Sequence, residues 1–118
     1  MSIITTHVLD VALGRPATGV PVVLLRVHAP GVIETGATEI GRASTDDDGR
    51  IHRLGPADIE PGTYRLVFAT AAYFLAYHAG DRPFFPEITV TFTVHDQARN
   101  YHVPLLLSPY GYSTYRGS

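Results

Sequence analysis

A histidine and a polar tetrapeptide come together at the C-terminal end of this 118-residue chain. Residues 108–111 read Ser-Pro-Tyr-Gly, and proline at the second position with glycine at the fourth is typical of a type I turn. We therefore predict a β-hairpin over residues 101–118, whose antiparallel register sets His102 opposite Gly117. The unperturbed pKa of histidine lies closer to neutral pH than that of any other side chain, so an imidazole there can accept a proton from water. This apolar hairpin thus ends in groups able to do chemistry.

The alternation of side chains in the hairpin predicts which polar groups share a face. Successive strand residues point to opposite faces, which puts His102 and Tyr115 on one face. Arg116 and Ser118 then fall on the other face, unless a bulge or fraying of the terminal residue redirects them. A Ser-His-Asp triad is disfavoured, since no Gly-x-Ser-x-Gly elbow occurs and a serine at the chain's end is poorly held for attack. Ser118 is expected to bind substrate.

Six histidines raise the question of catalytic zinc. Three protein ligands and an activated water would suffice, but no His-x-His or His-Glu-x-x-His spacing occurs. Catalytic zinc can also be assembled from distant strands, so the spacing alone leaves this question open. His7 and His102 fall within predicted strands, where a histidine is by pattern alone more often structural. A surface or hydrogen-bonded structural role is expected for the other four, His28, His52, His78 and His95.

The composition excludes several kinds of chemistry and of partner. The absence of cysteine rules out disulfides, thiolate nucleophiles and Cys-type zinc sites, and the absence of lysine removes Schiff-base catalysis. A formal net charge of -2 supplies no basic field for nucleic acid or for an anionic membrane. No secretory leader or membrane-spanning apolar run is recognised, so a cytoplasmic protein is expected. The length and a hydrophobic content of 45% predict one domain covering residues 1–118.

Hydrophobic periodicity predicts an all-β sandwich of about eight strands with one short helix. Strands are predicted at residues 4–11, 20–28, 34–43, 50–54, 63–69 and 87–94, and in the two arms of the closing hairpin. Residues 20–28 show almost no alternation at first, which is typical of a strand covered on both faces. Residues 34–43 are more polar and predict an edge strand, with Gly36 and Gly41 as candidate bulge positions.

Two further segments of the sequence predict one loop and one helix. Residues 14–17, Gly-Arg-Pro-Ala, are predicted to break the first strand as a loop. A run without β-branched residues predicts the helix at residues 70–78. Thr70 is its expected N-cap and Gly80 its expected stop.

Three aspartates precede an arginine in the segment Asp-Asp-Asp-Gly-Arg at residues 46–50. In this segment Asp46, Asp48 and Gly49 mimic positions three, five and six of an EF-hand loop. Position one would then be Ser44, and position twelve, where a bidentate glutamate is needed, would be Gly55. The calcium interpretation therefore fails, and residues 46–49 are expected to form a turn with solvated carboxylates.

Two motifs at opposite ends of the chain resemble the signatures of the transthyretin and 5-hydroxyisourate hydrolase superfamily. At the N-terminal end the match is His-Val-Leu-Asp at residues 7–10, followed by Gly-Arg-Pro-Ala at residues 14–17. At the C-terminal end it is Tyr-His-Val-Pro at residues 101–104 and Leu-Ser-Pro-Tyr-Gly-Tyr-Ser at residues 107–113. The hydrolase branch is indicated by His7, where transthyretin carries lysine, and by the Tyr-Arg-Gly-Ser ending.

The resemblance implies a transthyretin-like β-sandwich and a homotetramer, in which residues of two subunits meet in a central channel. It implies metal-independent, cofactor-free hydrolysis of a small molecule, 5-hydroxyisourate, by addition of water to C6 and opening of the N1–C6 bond. Asp-Asp-Asp-Gly-Arg resembles the hydrolase motif that supplies a catalytic arginine. The catalytic residues implied are His7, Arg50 and His102. The substrate-binding residues implied are Tyr115, Arg116, Gly117 and Ser118.

These residue types suit the implied reaction. Neutral imidazole can take a proton from water at pH 7, and the sequence does not decide whether His7 or His102 does so. Arg50 stays protonated and can stabilise the oxyanion that develops at C6. Arg116 and Ser118 would hold the substrate, and Tyr115 would shape the pocket.

Two other classes of protein fit the same sandwich. A transthyretin-like carrier of small aromatic ligands predicts apolar channel walls, whereas this chain has His7 and His102 where transthyretin has lysine and threonine. An adhesion or interaction module would leave the polar residues at both ends of the chain unexplained.

Overall fold

A computed structural model describes residues 2–29, 36–80 and 82–118, which fold into two β-sheets and one short helix. The strands are β1 (Ile4–Asp10), β2 (Arg15–Pro16), β3 (Pro21–Val27), β4 (Ala37–Ser44), β5 (Arg50–Ile51), β6 (Gly62–Phe68), β7 (Ile88–Val94), β8 (Tyr101–His102), β9 (Leu105–Ser108) and β10 (Gly111–Thr114). The helix α1 spans Ala71–Tyr77. The predicted all-β sandwich is confirmed. The described residues form ten strands and not eight, because β2 is an additional short strand and the first arm of the closing hairpin is divided into β8 and β9. None of the described residues belongs to a helix long and apolar enough to cross a bilayer.

The first sheet is built around β1. Its order is β10-β9-β1-β2, with β5 and β8 also paired to β1, and the second sheet has the order β4-β3-β6-β7. β8 and β9 run parallel to β1, whereas β2 and β5 run antiparallel to it. The parallel ladder is interrupted at Pro104, which has no N–H to donate, and this divides the segment into β8 and β9. The N-terminal strand therefore joins chain segments from both halves of the sequence.

The closing hairpin forms with the predicted register. Gly111 pairs with Ser108 and Thr114 pairs with Leu105, so the sum of partner numbers stays constant along the ladder. The same sum holds at the isolated bridge between His102 and Gly117. The turn sequence therefore brings the tetrapeptide of residues 115–118 back to β8.

The second sheet differs from prediction in one strand and agrees in another. Alternate residues of β3, among them Val22 and Leu24, are fully buried, so the strand is covered on one face and not on both as predicted. β4 lies at the edge of its sheet, as predicted. Its bulge lies at Ile40, beside the candidate Gly41. The first predicted residues of this strand, 34–35, lie outside the described residues.

Three local predictions are corrected. Residues 14–17 are not all loop, because Gly14 has a positive φ of 69° and reverses the chain so that β2 pairs with β1. The strand predicted at residues 50–54 contains only β5. Thr70 occupies the N-cap position, but its hydroxyl makes no cap hydrogen bond and donates to the Phe85 carbonyl at 2.5 Å. That bond ties the start of α1 to the loop that precedes β7.

A buried carboxylate joins α1 to the end of β1. Asp10 Oδ2 accepts hydrogen bonds from the Tyr73 hydroxyl and from His78 Nε2, each at 2.6 Å. Its Oδ1 accepts the backbone N–H groups of Ala12 and Leu13. Burial would raise the pKa of Asp10, but these hydrogen bonds hold that pKa below its ordinary value. His78 therefore has the hydrogen-bonded structural role that the sequence predicted.

Asp10→Ala is expected to lower the free energy of unfolding by about 3 kcal/mol, because Tyr73 and His78 would lose a fully buried partner. Urea denaturation measures this. Asp47→Ala is the matched control, since that side chain is exposed in the aspartate turn, and it should change stability by less than about 0.5 kcal/mol. Equal stability of the two variants would contradict the assigned role of Asp10.

Candidate active site

β1 lies between the two strands that carry Arg50 and His102. His7 of β1 is the register partner of Arg50 in β5, and Thr5 is the partner of His102 in β8. Cross-strand partners share a face of a sheet, and so do residues two apart along one strand. The four side chains therefore share the face turned away from the core, since the intervening residues of β1 are buried.

A cavity of about 330 Å³ opens on this face. It is lined by two of the predicted catalytic residues, Arg50 and His102, and by the predicted substrate residue Ser118. Its volume lies in the range of small-molecule sites. The other lining residues are Thr5, Thr6, Ile51, His52 and Asn100. His7 lies beside Arg50 in the ladder but does not line this cavity.

The imidazole of His102 is held at two of its edges. Thr5 Oγ1 lies 2.7 Å from Nδ1. On the Cδ2 edge, a Cβ built on Gly117 would come within 2.5 Å of the ring, so the ring packs directly against this glycine. Burial, the charge of Arg50 and the neighbouring His7 all lower the pKa of His102 below the ordinary 6.5. The ring is therefore in its neutral, proton-accepting form at pH 7.

The aspartate turn orients His7 and the backbone of Arg50. His7 Nε2 lies 2.8 Å from the Asp48 carbonyl oxygen, and because a carbonyl only accepts, Nε2 carries the proton. In neutral His7 the lone pair is therefore on Nδ1. Asp46 accepts the N–H groups of Arg50 and Asp48, and these bonds, with nearby His52, hold the pKa of Asp46 below its ordinary value. The turn predicted at residues 46–49 is confirmed.

Tyr115 and Arg116 line a second cavity, of about 240 Å³, which shares His102 with the first. Its remaining walls are largely apolar and are formed by Val90, Phe92, Thr93, Tyr101, Val103 and Thr114. The Arg116 guanidinium lies 4.8 Å from the centroid of the Tyr101 ring, a cation–π contact. A more open third cavity is lined by Arg99, Asn100, Arg116, Gly117 and Ser118. The tetrapeptide therefore surrounds His102 from several directions.

The predicted separation of the hairpin's polar side chains by face holds only in part. His102 shares the second cavity with Tyr115, and Arg116 shares the third cavity with Ser118, but Arg116 and Ser118 each also line a cavity that contains His102. Ser118 lines the cavity of His102 and Arg50, while Arg116 lines the second cavity together with His102 and Tyr115. The ladder of β10 ends at Thr114, and only Gly117 is bridged beyond it. The pleat therefore controls the direction of the last side chains only in part, which is the fraying that the alternation rule allowed for.

Sequence reasoning missed five of the residues that line the first cavity, among them Thr5 and Asn100. Thr5 could have been found, because it lies two residues before His7 and so on the same face of a predicted strand. Asn100 lies in a predicted turn, and nothing in the sequence there indicated a site residue. Its Oδ1 accepts the Ile3 N–H at 3.2 Å, which leaves its NH₂ group as the donor available to the cavity.

The histidines do not converge on a metal position in the part of the chain that the structure describes. No group of three His, Asp or Glu side chains there is arranged to hold a metal ion. His28 is hydrogen-bonded to Thr38, and His52 lies 3.3 Å from Asp46. His28 has the hydrogen-bonded surface role that the sequence predicted, whereas His52 is exposed beside Asp46 and also lines the first cavity.

The sequence motifs and this geometry agree with a comparison against known families. The model of the HIUase/Transthyretin family matches residues 4–117. The chain belongs to this family. Within the HIUase/Transthyretin family, the 5-hydroxyisourate hydrolase of Deinococcus radiodurans is 47% identical over 118 residues, covering 98% of this chain and 95% of the relative. The 5-hydroxyisourate hydrolase of Mus musculus is 44% identical over 116 residues, covering 98% and 94%.

Solved structures of the HIUase/Transthyretin family share the fold. The 5-hydroxyisourate hydrolase of Klebsiella pneumoniae superimposes with a TM-score of 0.80 at 34% identity, covering all of both chains. Sea bream transthyretin in complex with thyroxine superimposes with a TM-score of 0.83 at 33% identity, covering 97% of this chain and 93% of that one. The fold is therefore transthyretin-like, and the side chains at the site must distinguish hydrolysis from ligand carriage.

Proposed function

We propose that this protein hydrolyses 5-hydroxyisourate to 2-oxo-4-hydroxy-4-carboxy-5-ureidoimidazoline in urate degradation. The observation that carries the proposal is the shared cavity of Arg50, His102 and Ser118, with His7 paired to Arg50 at its side. Curated relatives covering nearly the whole chain are named for this substrate, which supports the choice. A permanent cation beside a neutral imidazole suits the addition of water to a carbonyl.

In the proposed reaction, His102 is the general base. Its imidazole takes a proton from water as the oxygen attacks C6, and the resulting oxyanion at C6 lies against the Arg50 guanidinium. Collapse of this intermediate breaks the C6–N1 bond, and the proton held by His102 passes to N1. The product carries the new carboxyl group at the former C6. His7 stands at the side of the cavity, next to Arg50, where its Nδ1 lone pair can accept a hydrogen bond from a substrate N–H.

The remaining predicted residues bind substrate in this proposal. Ser118 and the Asn100 NH₂ group supply hydrogen bonds to the oxygen-rich ring at the Arg50 side of the cavity. Tyr115 and Arg116 bind substrate from the other side of His102, where they line the second cavity. No metal or cofactor is needed, so a chelator should leave the rate unchanged.

We also propose that the chain assembles as a homotetramer. β7 and β10 each stand at an end of their sheet and can extend it by pairing with another copy. An aromatic cluster beside these two strands leaves large apolar surface exposed, with Phe84 at 65% and Tyr110 at 69%. Analytical ultracentrifugation should give the mass of four chains, and a monomer at micromolar concentration would contradict the assembly.

Spectrophotometry tests the function. 5-Hydroxyisourate is generated from urate by urate oxidase, and its decay is followed with and without the protein. The proposal predicts decay faster than the unaided reaction. Decay at the unaided rate, with saturable binding of aromatic ligands, would instead support a transthyretin-like carrier, which the apolar second cavity also suits.

Gly117→Ala is expected to lower kcat about ten-fold, because the new methyl group would overlap the His102 ring and push it off its position. Gly111→Ala is the matched control in the same hairpin, since a Cβ there meets no atom closer than 3.8 Å. Steady-state kinetics of the two variants measure the difference. The interpretation of Gly117 fails if both variants retain wild-type kcat.

A further inference from the structure

The threonine that contacts His102 lies at the register position that the sheet itself fixes. Thr5 is the direct partner of His102 in the β1–β8 ladder, and its Oγ1 lies 2.7 Å from Nδ1. The backbone is hydrogen-bonded on both sides of this contact, since the Tyr101 N–H donates to the Ile3 carbonyl at 2.9 Å and the Val103 N–H donates to the Thr5 carbonyl at 3.0 Å. The contact therefore joins two side chains on paired strands, one of which carries the proposed base.

The second edge of the ring is closed by Gly117. With Nδ1 against Thr5 and Cδ2 against Gly117, the ring has little freedom to rotate about χ2. Nε2 makes no hydrogen bond to any residue that the structure describes. It is the nitrogen of His102 available to a substrate or a water in the cavity.

We propose that Thr5 is a positioning residue that selects the tautomer of His102. The Thr5 hydroxyl accepts the Nδ1–H, so neutral His102 presents its lone pair at Nε2. The opposite arrangement, with the hydroxyl donating to Nδ1, would put the ring proton on Nε2 and leave no base facing the cavity. This inference rests on the proposed function, because that function requires a base there.

The same bond helps the proposed reaction as it proceeds. When Nε2 takes a proton from water, the ring becomes an imidazolium with N–H groups at both nitrogens. The Nδ1–H to Thr5 Oγ1 hydrogen bond then has a charged donor and becomes stronger. Thr5 thus stabilises the protonated ring in the transition state more than the neutral ring before it.

Thr5→Val removes the hydroxyl and keeps the branched shape, so kcat should fall about ten-fold, the order of one hydrogen bond, with KM little changed. Thr5→Ser should restore most of the loss. Thr70→Val is the matched control, because the Thr70 hydroxyl is buried, donates to the Phe85 carbonyl at 2.5 Å and lies at the start of α1, away from the ring. That variant should lose stability but keep its kcat.

Nitrogen-15 NMR of the imidazoles provides the second readout, with His102 assigned by His102→Asn. Wild-type His102 should carry its proton on Nδ1, and Thr5→Val should shift the population toward Nε2–H. A proton on Nε2 in the wild type, an unchanged kcat in Thr5→Val, or an equal kcat loss in Thr70→Val would each overturn the proposal. If the wild type does not hydrolyse 5-hydroxyisourate, the proposed function fails, whereas the NMR result still decides whether Thr5 sets the tautomer.

Discussion

Arg50→Ala is expected to lower kcat/KM for 5-hydroxyisourate by about 10²- to 10³-fold, as the loss of one oxyanion-stabilising group typically does. Arginine is always charged and presents several N–H donors, so no other group lining the cavity can replace it. The backbone position of Arg50 does not depend on its side chain, because Asp46 accepts the Arg50 backbone N–H. The variant should therefore fold normally and fail in the chemical step.

The matched control for this variant is Arg53→Ala, which removes an exposed arginine three residues further along the chain. It changes the net charge by the same amount and should retain wild-type kinetics. A second consequence concerns the neighbouring base: the charge of Arg50 helps to lower the pKa of His102, so Arg50→Ala should raise that pKa. Equal activity of the two arginine variants would remove Arg50 from the mechanism.

His102→Asn is expected to lower kcat by about 10²- to 10⁴-fold, the usual contribution of a general base. Asparagine keeps a similar shape and hydrogen-bonding ability near Thr5 but cannot take a proton from water. His95→Asn is the matched control, since His95 is exposed and, among the described residues, its one hydrogen bond is from its backbone N–H to the Tyr101 hydroxyl. Circular dichroism before the assay separates loss of function from loss of fold.

The pH dependence of the wild type provides a further check on His102. Its neutral form is the base, and its pKa is lowered below 6.5, first by burial and then by Arg50 and His7. Activity should therefore stay on a plateau above pH 6.5 and fall only as the pH drops through this lowered pKa. Stability follows the same direction, because the unfolded chain binds this proton more readily than the folded one, so the contribution is lost on acidification below 6.5. An acid limb centred above 6.5 would contradict the assignment.

The fold was predictable from sequence wherever local chemistry and tertiary pairing agree. The turn chemistry of residues 108–111 sets a register that carries through to His102 and Gly117. The prediction failed where tertiary contacts override the local pattern. Gly14 was interpreted as a strand breaker, but its left-handed conformation returns the chain to pair with β1.

The site was predictable only in part. His7, Arg50 and His102 came from motif resemblance, and the convergence of Arg50 and His102 on either side of β1 depends on long-range pairing that no local pattern contains. Asn100 reaches the cavity from a turn, where periodicity provides no information about side-chain direction. Ser118 lies beyond the end of the regular ladder, so alternation could not place it.

The fold alone does not decide between a hydrolase and a carrier, because one sandwich serves both in this family. The chain resembles a hydrolase structure and a transthyretin structure to nearly the same extent, at 34% and 33% identity. The distinction therefore depends on a few side chains along β1, β5 and β8. A polar cavity with a cation and a neutral imidazole favours chemistry, whereas the apolar cavity beside it resembles a binding surface.

The most direct test is the kcat/KM of the double variant Arg50→Ala/His102→Asn, measured on 5-hydroxyisourate beside the two single variants. Residues that act as a unit on one carbonyl lose most of their contribution when either is removed. We therefore predict that the kcat/KM of the double variant is no more than about ten-fold below that of the less active single variant. Losses that multiply, as they do for independent sites, or single variants with wild-type activity, would contradict a shared catalytic cavity.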